Sequence, residues 1–129
     1  MLFRSWSGES IDLSMGYVNV IWQGDANAVS LCALKIADSP PTLLNIAGAE
    51  ILAIRDIATQ FATHFGKQVH FTGEEAQDAL LNNATKSHIL FEPPTISPNQ
   101  IVAWIAGWIA RGGETLQKPT HFEVRDGKF

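Results

Sequence analysis

The residue types that most often perform catalysis are dispersed along this sequence. The histidines are His64, His70, His88 and His121. None of them has a second ligand at the short spacing typical of zinc sites, so we expect surface or packing roles for all four. The sequence therefore predicts no metal site.

The thiol and the paired carboxylates are also weak candidates for chemistry. Cys32 lies in an apolar stretch, where a thiol behaves as a small hydrophobic group, and as the single cysteine it cannot form an internal disulfide. This usage fits a reducing compartment. Glu74 and Glu75 follow Gly73 in a polar segment, where neighbouring acids are usually solvated rather than catalytic.

The sequence motifs of common cofactor and catalytic sites are missing. The sequence contains no G-x-G-x-x-G, no P-loop, no G-x-S-x-G and no H-E-x-x-H. A dinucleotide site needs closely spaced glycines after a strand, so that the backbone approaches the pyrophosphate. We therefore assign no catalytic and no cofactor-binding residue.

Composition limits the class of protein. The 129 residues are 46% hydrophobic and 17% charged, which predicts a single globular domain spanning residues 1–129. A formal charge of −4 with scattered basic residues argues against nucleic-acid binding. No apolar run approaches the ~18 residues of a membrane span, and the N-terminus has no signal-like apolar region. A cytoplasmic location is expected.

The elements that would position a site begin with the stretch "VNVIWQGDANAVSLCAL". "IDL" and "YVNVIW" are predicted to be short extended segments around a turn at Ser14-Met15-Gly16. Asp25 is expected to be the N-cap of a helix over about Ala26–Ala37 that is apolar on nearly every side. Such a helix needs cover on more than one side. Trp22, at the strand end, is a candidate for lining a site.

The middle of the chain, residues 42–71, predicts a strand, a helix and a second strand. "TLLNIAG", over Thr42–Gly48, is predicted to be a buried strand. The helix that follows carries one apolar stripe and stops at Gly66. The members of that stripe are Ile54, Ile57, Ala58, Phe61 and Phe65. "QVHF" is then predicted to be another strand.

The last predicted helix starts at a capping box, with Ser97 as the cap, Pro98 in the first turn and Gln100 three residues after the cap. Its core face is predicted to be Ile101, Trp104, Ile105 and Trp108, and Gly112-Gly113 ends it. The tail "THFEVRDGKF" is a candidate edge strand. Together these elements predict an α/β fold with about three main helices and a small mixed sheet.

Several segments in order resemble the C-terminal part of extended short-chain dehydrogenases/reductases, the NAD-dependent epimerase/dehydratase family. The segments are "GESIDLSMGYVNVIWQGDANAV", "LLNIAGAEILAIRDIATQFATHFGK", "TKSHILF" and "ISPNQIVAWIAGWI". In that family an acidic residue opens the helix after a strand, as Asp25 does here, and an Asn-containing strand end like "NIAG" precedes the next helix. The resemblance covers essentially the whole chain, and "MLFRSWSGES" is similar to the end of a family helix, which favours a truncated chain.

The resemblance implies a substrate-binding lobe without its Rossmann domain. The family's cofactor glycines and catalytic Tyr-x-x-x-Lys belong to the N-terminal part, and in this chain Tyr17 is followed four residues later by Ile21. NAD or NADP is implied for the complete protein and not for this chain alone. The implied substrate-binding residues are Tyr17, Asn19, Trp22 and Gln23.

Two departures from the family pattern limit what the resemblance implies. Many nucleotide-sugar members carry an arginine before the junction, where this chain reads Tyr17-Val18-Asn19, which disfavours a nucleotide-sugar substrate. Ala53 stands where the family usually has a Ser or Thr cap, which weakens the helix start by about 1 kcal/mol.

Two hypotheses of function follow. In the first, the chain is the substrate-binding lobe of an NAD(P)-dependent epimerase/dehydratase-like oxidoreductase acting on a small molecule. It is inactive alone and completed by a Rossmann domain in the same or another polypeptide. In the second, it is a stand-alone binding or assembly module whose apolar surface pairs with itself or with another chain.

Overall fold

The computed structural model describes residues 2–116 and residue 124. The elements are α1 (Leu2–Ser7), β1 (Ile11–Asp12), β2 (Tyr17–Val18), α2 (Gln23–Ala33), a 3₁₀ turn (Leu34–Ile36), β3 (Leu52–Ala53), α3 (Ile54–Phe65), β4 (Phe71–Thr72), α4 (Thr85–Phe91) and α5 (Pro98–Ala110). The predicted α/β class is confirmed, but the strands form two separate two-stranded sheets. None of the described helices has the length and apolarity to cross a membrane. The predicted edge strand over 120–129 lies outside the described residues, apart from residue 124.

The chain divides into two compact units. The first, called the core unit, comprises Met1–Val18, Leu52–Leu80 and Val102–Phe129, and the second, called the cleft unit, comprises Asn19–Ile51 and Leu81–Ile101. Each unit is built from stretches that are distant in sequence. That residues 1–129 form a single domain stays a prediction.

The core unit contains both sheets. β1 pairs in parallel with β4, with Ile11 opposite Phe71, and β2 pairs antiparallel with β3, with Tyr17 opposite Ala53. The strand predicted over "QVHF" lies further along the chain than expected. Its paired residues, β4, begin at Phe71, the last residue of that motif, and end at Thr72. A buried cluster of Ile11, Leu13, Ile54 and Ala58 joins β1 to α3.

Helix α3 confirms the predicted apolar stripe. Ile54, Ile57, Ala58 and Phe61 are buried, and Phe65 is half-buried. Gly66 has a φ of 62°, the left-handed conformation that glycine adopts without a Cβ penalty, and the Lys67 N–H donates to the Ala62 carbonyl. Amphipathic periodicity and a C-terminal glycine together define this helix.

Helix α5 starts as predicted, and of its predicted core face Ile101 is buried and Ile105 is half-buried against the core cluster. The Gln100 N–H donates to Ser97 Oγ at 3.3 Å, which confirms the Ser97 cap. The core placement of Trp104 and Trp108 is wrong, since they are 43% and 51% exposed. Instead the small residues Val102 and Ala106 pack on Ile57 and Phe61, because short side chains let the two helices approach closely.

Two predictions for the cleft unit are wrong. Helix α2 begins at Gln23, its N-cap is Trp22 without a side-chain hydrogen bond, and Asp25 lies inside the first turn. The Asp25 carboxylate instead accepts from Thr95 Oγ1 at 2.9 Å and the Ile96 N–H at 3.1 Å. The buried strand over Thr42–Gly48 is also not found, because no strand pairs with this segment.

Helix α2 lacks, among the described residues, the cover that its apolar composition requires. None of its residues is buried, and Leu31 is 70% exposed. The 3₁₀ turn that follows presents Leu34, also exposed. Large apolar side chains in water are unfavourable by roughly 25 cal/mol per Å², so this surface would gain from cover.

An exposed ion pair braces the core unit. Arg55 Nε donates to Glu75 Oε1 at 2.6 Å, and the guanidinium lies 4.7 Å from the centre of the Phe71 ring. The hydrogen bond from Arg55 lowers the pKa of Glu75. The contribution of this pair to stability is therefore present above the unfolded-state pKa of a glutamate and is lost as the pH falls through the lower folded-state value.

The start of α3 offers a stabilising substitution. Ala53 is the N-cap, with extended backbone and no side-chain cap. Ala53→Ser is expected to raise the free energy of unfolding by about 1 kcal/mol, since a hydroxyl would accept from a free N–H of the first turn. Urea unfolding of both proteins measures the gain. Ala53→Val, which cannot cap, is the control, and an equal gain from valine would contradict the explanation.

Candidate functional site

The cleft unit carries a cleft of about 280 Å³. Its walls come from three stretches of sequence: Asn19, the turn 48–51, and the stretch 81–88. The last stretch enters α4, whose His88 is half-buried. Because the cleft gathers polar side chains from distant parts of the chain, it is the candidate site.

Asn19 holds two of these walls together. Its Nδ2 donates to the Asn82 carbonyl at 2.7 Å and to the Gly48 carbonyl at 3.4 Å, and its Oδ1 accepts from the Asn82 N–H at 3.3 Å. The carboxamide thereby pairs with Asn82 as a neighbouring peptide group would in a β-ladder. A side chain replaces a missing strand at this point.

Further side-chain bonds fix the segment before the Gly48 turn. Asn45 Nδ2 donates to the Asn83 carbonyl at 3.2 Å, and His88 Nε2 lies 3.0 Å from the Ala47 carbonyl. A carbonyl oxygen only accepts, so His88 Nε2 carries the proton in this bond. These contacts explain how residues 45–48 are held without a strand partner.

Gly48 is required by a close backbone approach. A Cβ at this position would collide with the carbonyl oxygen of Val20. The chain after Asn19 therefore passes directly over the turn, and only a glycine leaves room for it.

The predicted substrate-binding residues are divided between the two units. Asn19 lines the cleft, but its carboxamide is committed to backbone groups. Trp22 is the N-cap of α2 and Gln23 is its first residue; both are exposed, and neither lines this cleft. Tyr17 lies in β2 of the core unit and is 40% exposed. Substrate binding by these four residues stays a prediction.

Sequence reasoning missed most of the cleft. Asn82 and Asn83 were not singled out, and the helix that places His88 was not predicted. A usable signal was present, because "LNNATKSH" is a mostly polar run with a single charged residue, Lys86, that leads into a short helix. Polar runs of this kind are ordinarily assigned to solvent-exposed loops.

A larger, shallower cleft of about 550 Å³ lies beside Lys86. The Lys86 ammonium donates to the Leu43 carbonyl at 3.3 Å, and the exposed side chains of Ile89 and Leu90 form much of the wall. Its single cation is thus engaged with backbone, and the cleft offers mainly apolar surface.

The residues described in the structure do not fit a dinucleotide. Between positions 2 and 116 the strands are two residues long, and no strand leads through a glycine-rich turn into a helix. Over the same part of the chain, no three His, Cys, Asp or Glu side chains are grouped to hold a metal ion.

The architecture is that of part of an epimerase/dehydratase fold. The UDP-glucuronic acid 4-epimerase of Bacillus cereus in complex with NAD is similar at a TM-score of 0.68 and 16% identity, over 91% of this chain and 39% of that one. A UDP-galactose 4-epimerase gives 0.64 and 20% identity, over 86% and 38%. The dTDP-glucose 4,6-dehydratase of Bacillus anthracis in complex with NAD gives 0.65 and 17%, over 85% and 37%.

The chain thus spans less than two fifths of the length of each of these three proteins. No family model matches the chain, and no curated protein matches it. The likeness establishes the fold.

The three hydrogen bonds of the Asn19 side chain, called the Asn19 clamp, give a prediction about stability. Asn19→Ala is expected to lower the free energy of unfolding by about 1–3 kcal/mol, because the Asn82 N–H and two carbonyls lose their partner. Urea unfolding measures the loss. Asn45→Ala, which removes a single exposed bond to Asn83, should cost less, and equal costs would contradict the clamp.

Proposed function

We propose that this chain is the C-terminal substrate-binding lobe of an NAD(P)-dependent epimerase/dehydratase-like oxidoreductase that acts on a small molecule, and that it does not transfer hydride alone. The observation that carries the proposal is the fold likeness to two epimerases and a dehydratase over 85–91% of the chain. The missing G-x-G-x-x-G and Tyr-x-x-x-Lys support it, because those residues would belong to another domain.

The proposal assigns NAD or NADP to a Rossmann domain in the same or a separate polypeptide. Two of the three similar structures are NAD complexes, and each extends well beyond the region that this chain matches. Substrate would contact this lobe through Tyr17, Asn19, Trp22 and Gln23. The exposed α2 surface around Leu31 and Leu34 would pack against the Rossmann domain, which explains why it is apolar.

The mass of the protein in its source cells tests this proposal. An antibody raised against this chain should detect a band at more than twice 14.1 kDa, since the similar proteins are more than twice as long. A 14.1 kDa protein that copurifies with a separate Rossmann chain would support pairing between two polypeptides. A band at 14.1 kDa without such a chain would overturn the proposal.

Cys32 provides a reporter of α2 burial. This exposed thiol is the single cysteine and lies in α2, so in the isolated chain it should react with a thiol reagent within a few-fold of the unfolded rate. When the Rossmann domain covers α2, its reaction should slow by more than tenfold. Urea-unfolded protein supplies the reference rate. An unchanged rate in the complete protein would contradict the packing of α2.

The same uncovered helix favours a second candidate function, a stand-alone assembly module that self-associates. Leu31 and Leu34 are 70% and 71% exposed, and burying them in a dimer would be favourable. Sedimentation at high concentration tests the candidate, with Leu31→Lys as the disrupting variant and Gln60→Lys, at an exposed position of α3, as its control. A monomer at every concentration would rule out self-association.

A further inference from the structure

We propose that the cleft beside Asn19 binds an uncharged, hydroxyl-rich ring, such as a monosaccharide or a cyclitol, rather than a ligand carrying a diphosphate. The inference rests on the proposed function, because it names the class of substrate that this lobe would take. It concerns residues 82–88, which the predicted substrate-binding set did not include.

The first step of the argument is the charge of the cleft unit. Asn19–Ile51 and Leu81–Ile101 contain no arginine and two lysines, against four carboxylates. No Asp, Glu, Lys or Arg lines the cleft itself, and Lys86 is engaged with the Leu43 carbonyl in the neighbouring cleft. A diphosphate is held by cationic side chains, by a glycine-rich turn or by the free N–H groups of a helix N-terminus. The lining of the cleft contains no cation and no glycine-rich turn, and at the start of α4 the Thr85 N–H already donates to Asn83 Oδ1.

The second step is the set of polar groups that remain available. Within residues 4–116, no partner is recorded for the Asn82 carboxamide, the Asn83 Nδ2, the Thr85 hydroxyl or the His88 Nδ1. All four line the cleft and together they present donors and acceptors without formal charge. Hydroxyl groups both donate and accept, so they match this mixture better than an anion does.

The third step is the apolar part of the wall. Ile51 and Leu81 line the same cleft and are 64% and 38% exposed. A pyranose or cyclitol ring has a C–H face that can cover such side chains while its hydroxyls reach the polar groups. The cleft volume of about 280 Å³ suits a single ring of this size.

Titration of the ¹⁵N-labelled chain followed by NMR tests the inference. D-Glucose, D-galactose and myo-inositol are the uncharged probes, and inorganic pyrophosphate is the diphosphate probe, because it carries no hydroxylated ring. The expected result is a saturable millimolar shift of the Asn82 and Asn83 side-chain amides with at least one uncharged probe, and no shift with pyrophosphate. Asn82→Ala should weaken this binding at least tenfold. The variant should still fold, because Asn19 contacts only the Asn82 backbone. Asn27→Ala, on α2, is the control.

Each other result overturns the inference and leaves the proposed function to its own test. Shifts of the cleft amides by pyrophosphate would assign the cleft to a charged ligand, and the substrate-lobe proposal would stand. Cleft amides that respond to none of the four probes would remove the ligand assignment. In both cases the mass of the endogenous protein still decides whether the lobe belongs to a larger oxidoreductase.

Discussion

Gly48→Ala is expected to lower the free energy of unfolding by roughly 3 kcal/mol or more. The added methyl would collide with the Val20 carbonyl oxygen, a backbone atom that cannot move away as a flexible side chain can. Relief requires a shift of either the 48–51 turn or the backbone at Val20. Because Asn19 donates to the Gly48 carbonyl, this shift would also disturb the clamp on Asn82.

Urea unfolding followed by tryptophan fluorescence measures the loss, and the Asn19 side-chain amide signals report the local change. Gly107→Ala is the matched control. Gly107 lies inside α5, and its added methyl would meet only the flexible end of Arg111, 3.3 Å away. This variant should gain up to about 1 kcal/mol from helix propensity. If Gly48→Ala proved as stable as the parent, the close approach of Val20 would be refuted.

Phe61→Ala is expected to cost about 3–5 kcal/mol, a large part of the stability of a domain of this size. Phe61 is 1% exposed and packs in one cluster with Ile57, Val102 and Ala106. Its ring also stacks on Phe65 at 6.0 Å between centroids. Removing it leaves a cavity between α3 and the part of α5 in the core unit, and the small side chains there cannot fill that space.

Leu31→Ala deletes a large apolar side chain from an exposed position and should change stability by less than about 0.5 kcal/mol. Thermal unfolding of the two variants beside the parent separates a packing loss from a general effect of lost hydrophobicity. If the Phe61→Ala and Leu31→Ala variants had the same unfolding temperature, the Phe61 cluster would not stabilise the core unit.

The sequence predicted those parts of the fold that depend on local patterns. The stripe from Ile54 to Phe61 and the stop at Gly66 were readable because a helix repeats every 3.6 residues and a left-handed cap favours glycine. The Ser97 cap was readable for the same reason. The α/β class, which depends on these elements, followed from them.

The errors occurred where distant partners decide the structure. Asp25 has a good cap residue type, but Thr95 and Ile96 bind its carboxylate. Residues 42–48 have a strand-like composition, but side chains occupy the place of a neighbouring strand. The cleft depends on contacts between residues about 30 to 60 positions apart, which one sequence read locally does not reveal.

The Phe61 cluster has a consequence for synthesis on the ribosome. β1 pairs with β4 across a separation of sixty residues, and the cluster that covers α3 includes Val102 and Ala106. The face of α3 that carries Ile57 and Phe61 is therefore translated before Val102 and Ala106 exist, and this face stays open until α5 leaves the exit tunnel. A nascent chain stalled before Val102 would present Ile57 and Phe61 to chaperones, whereas one released after Ala110 could close the cluster at once.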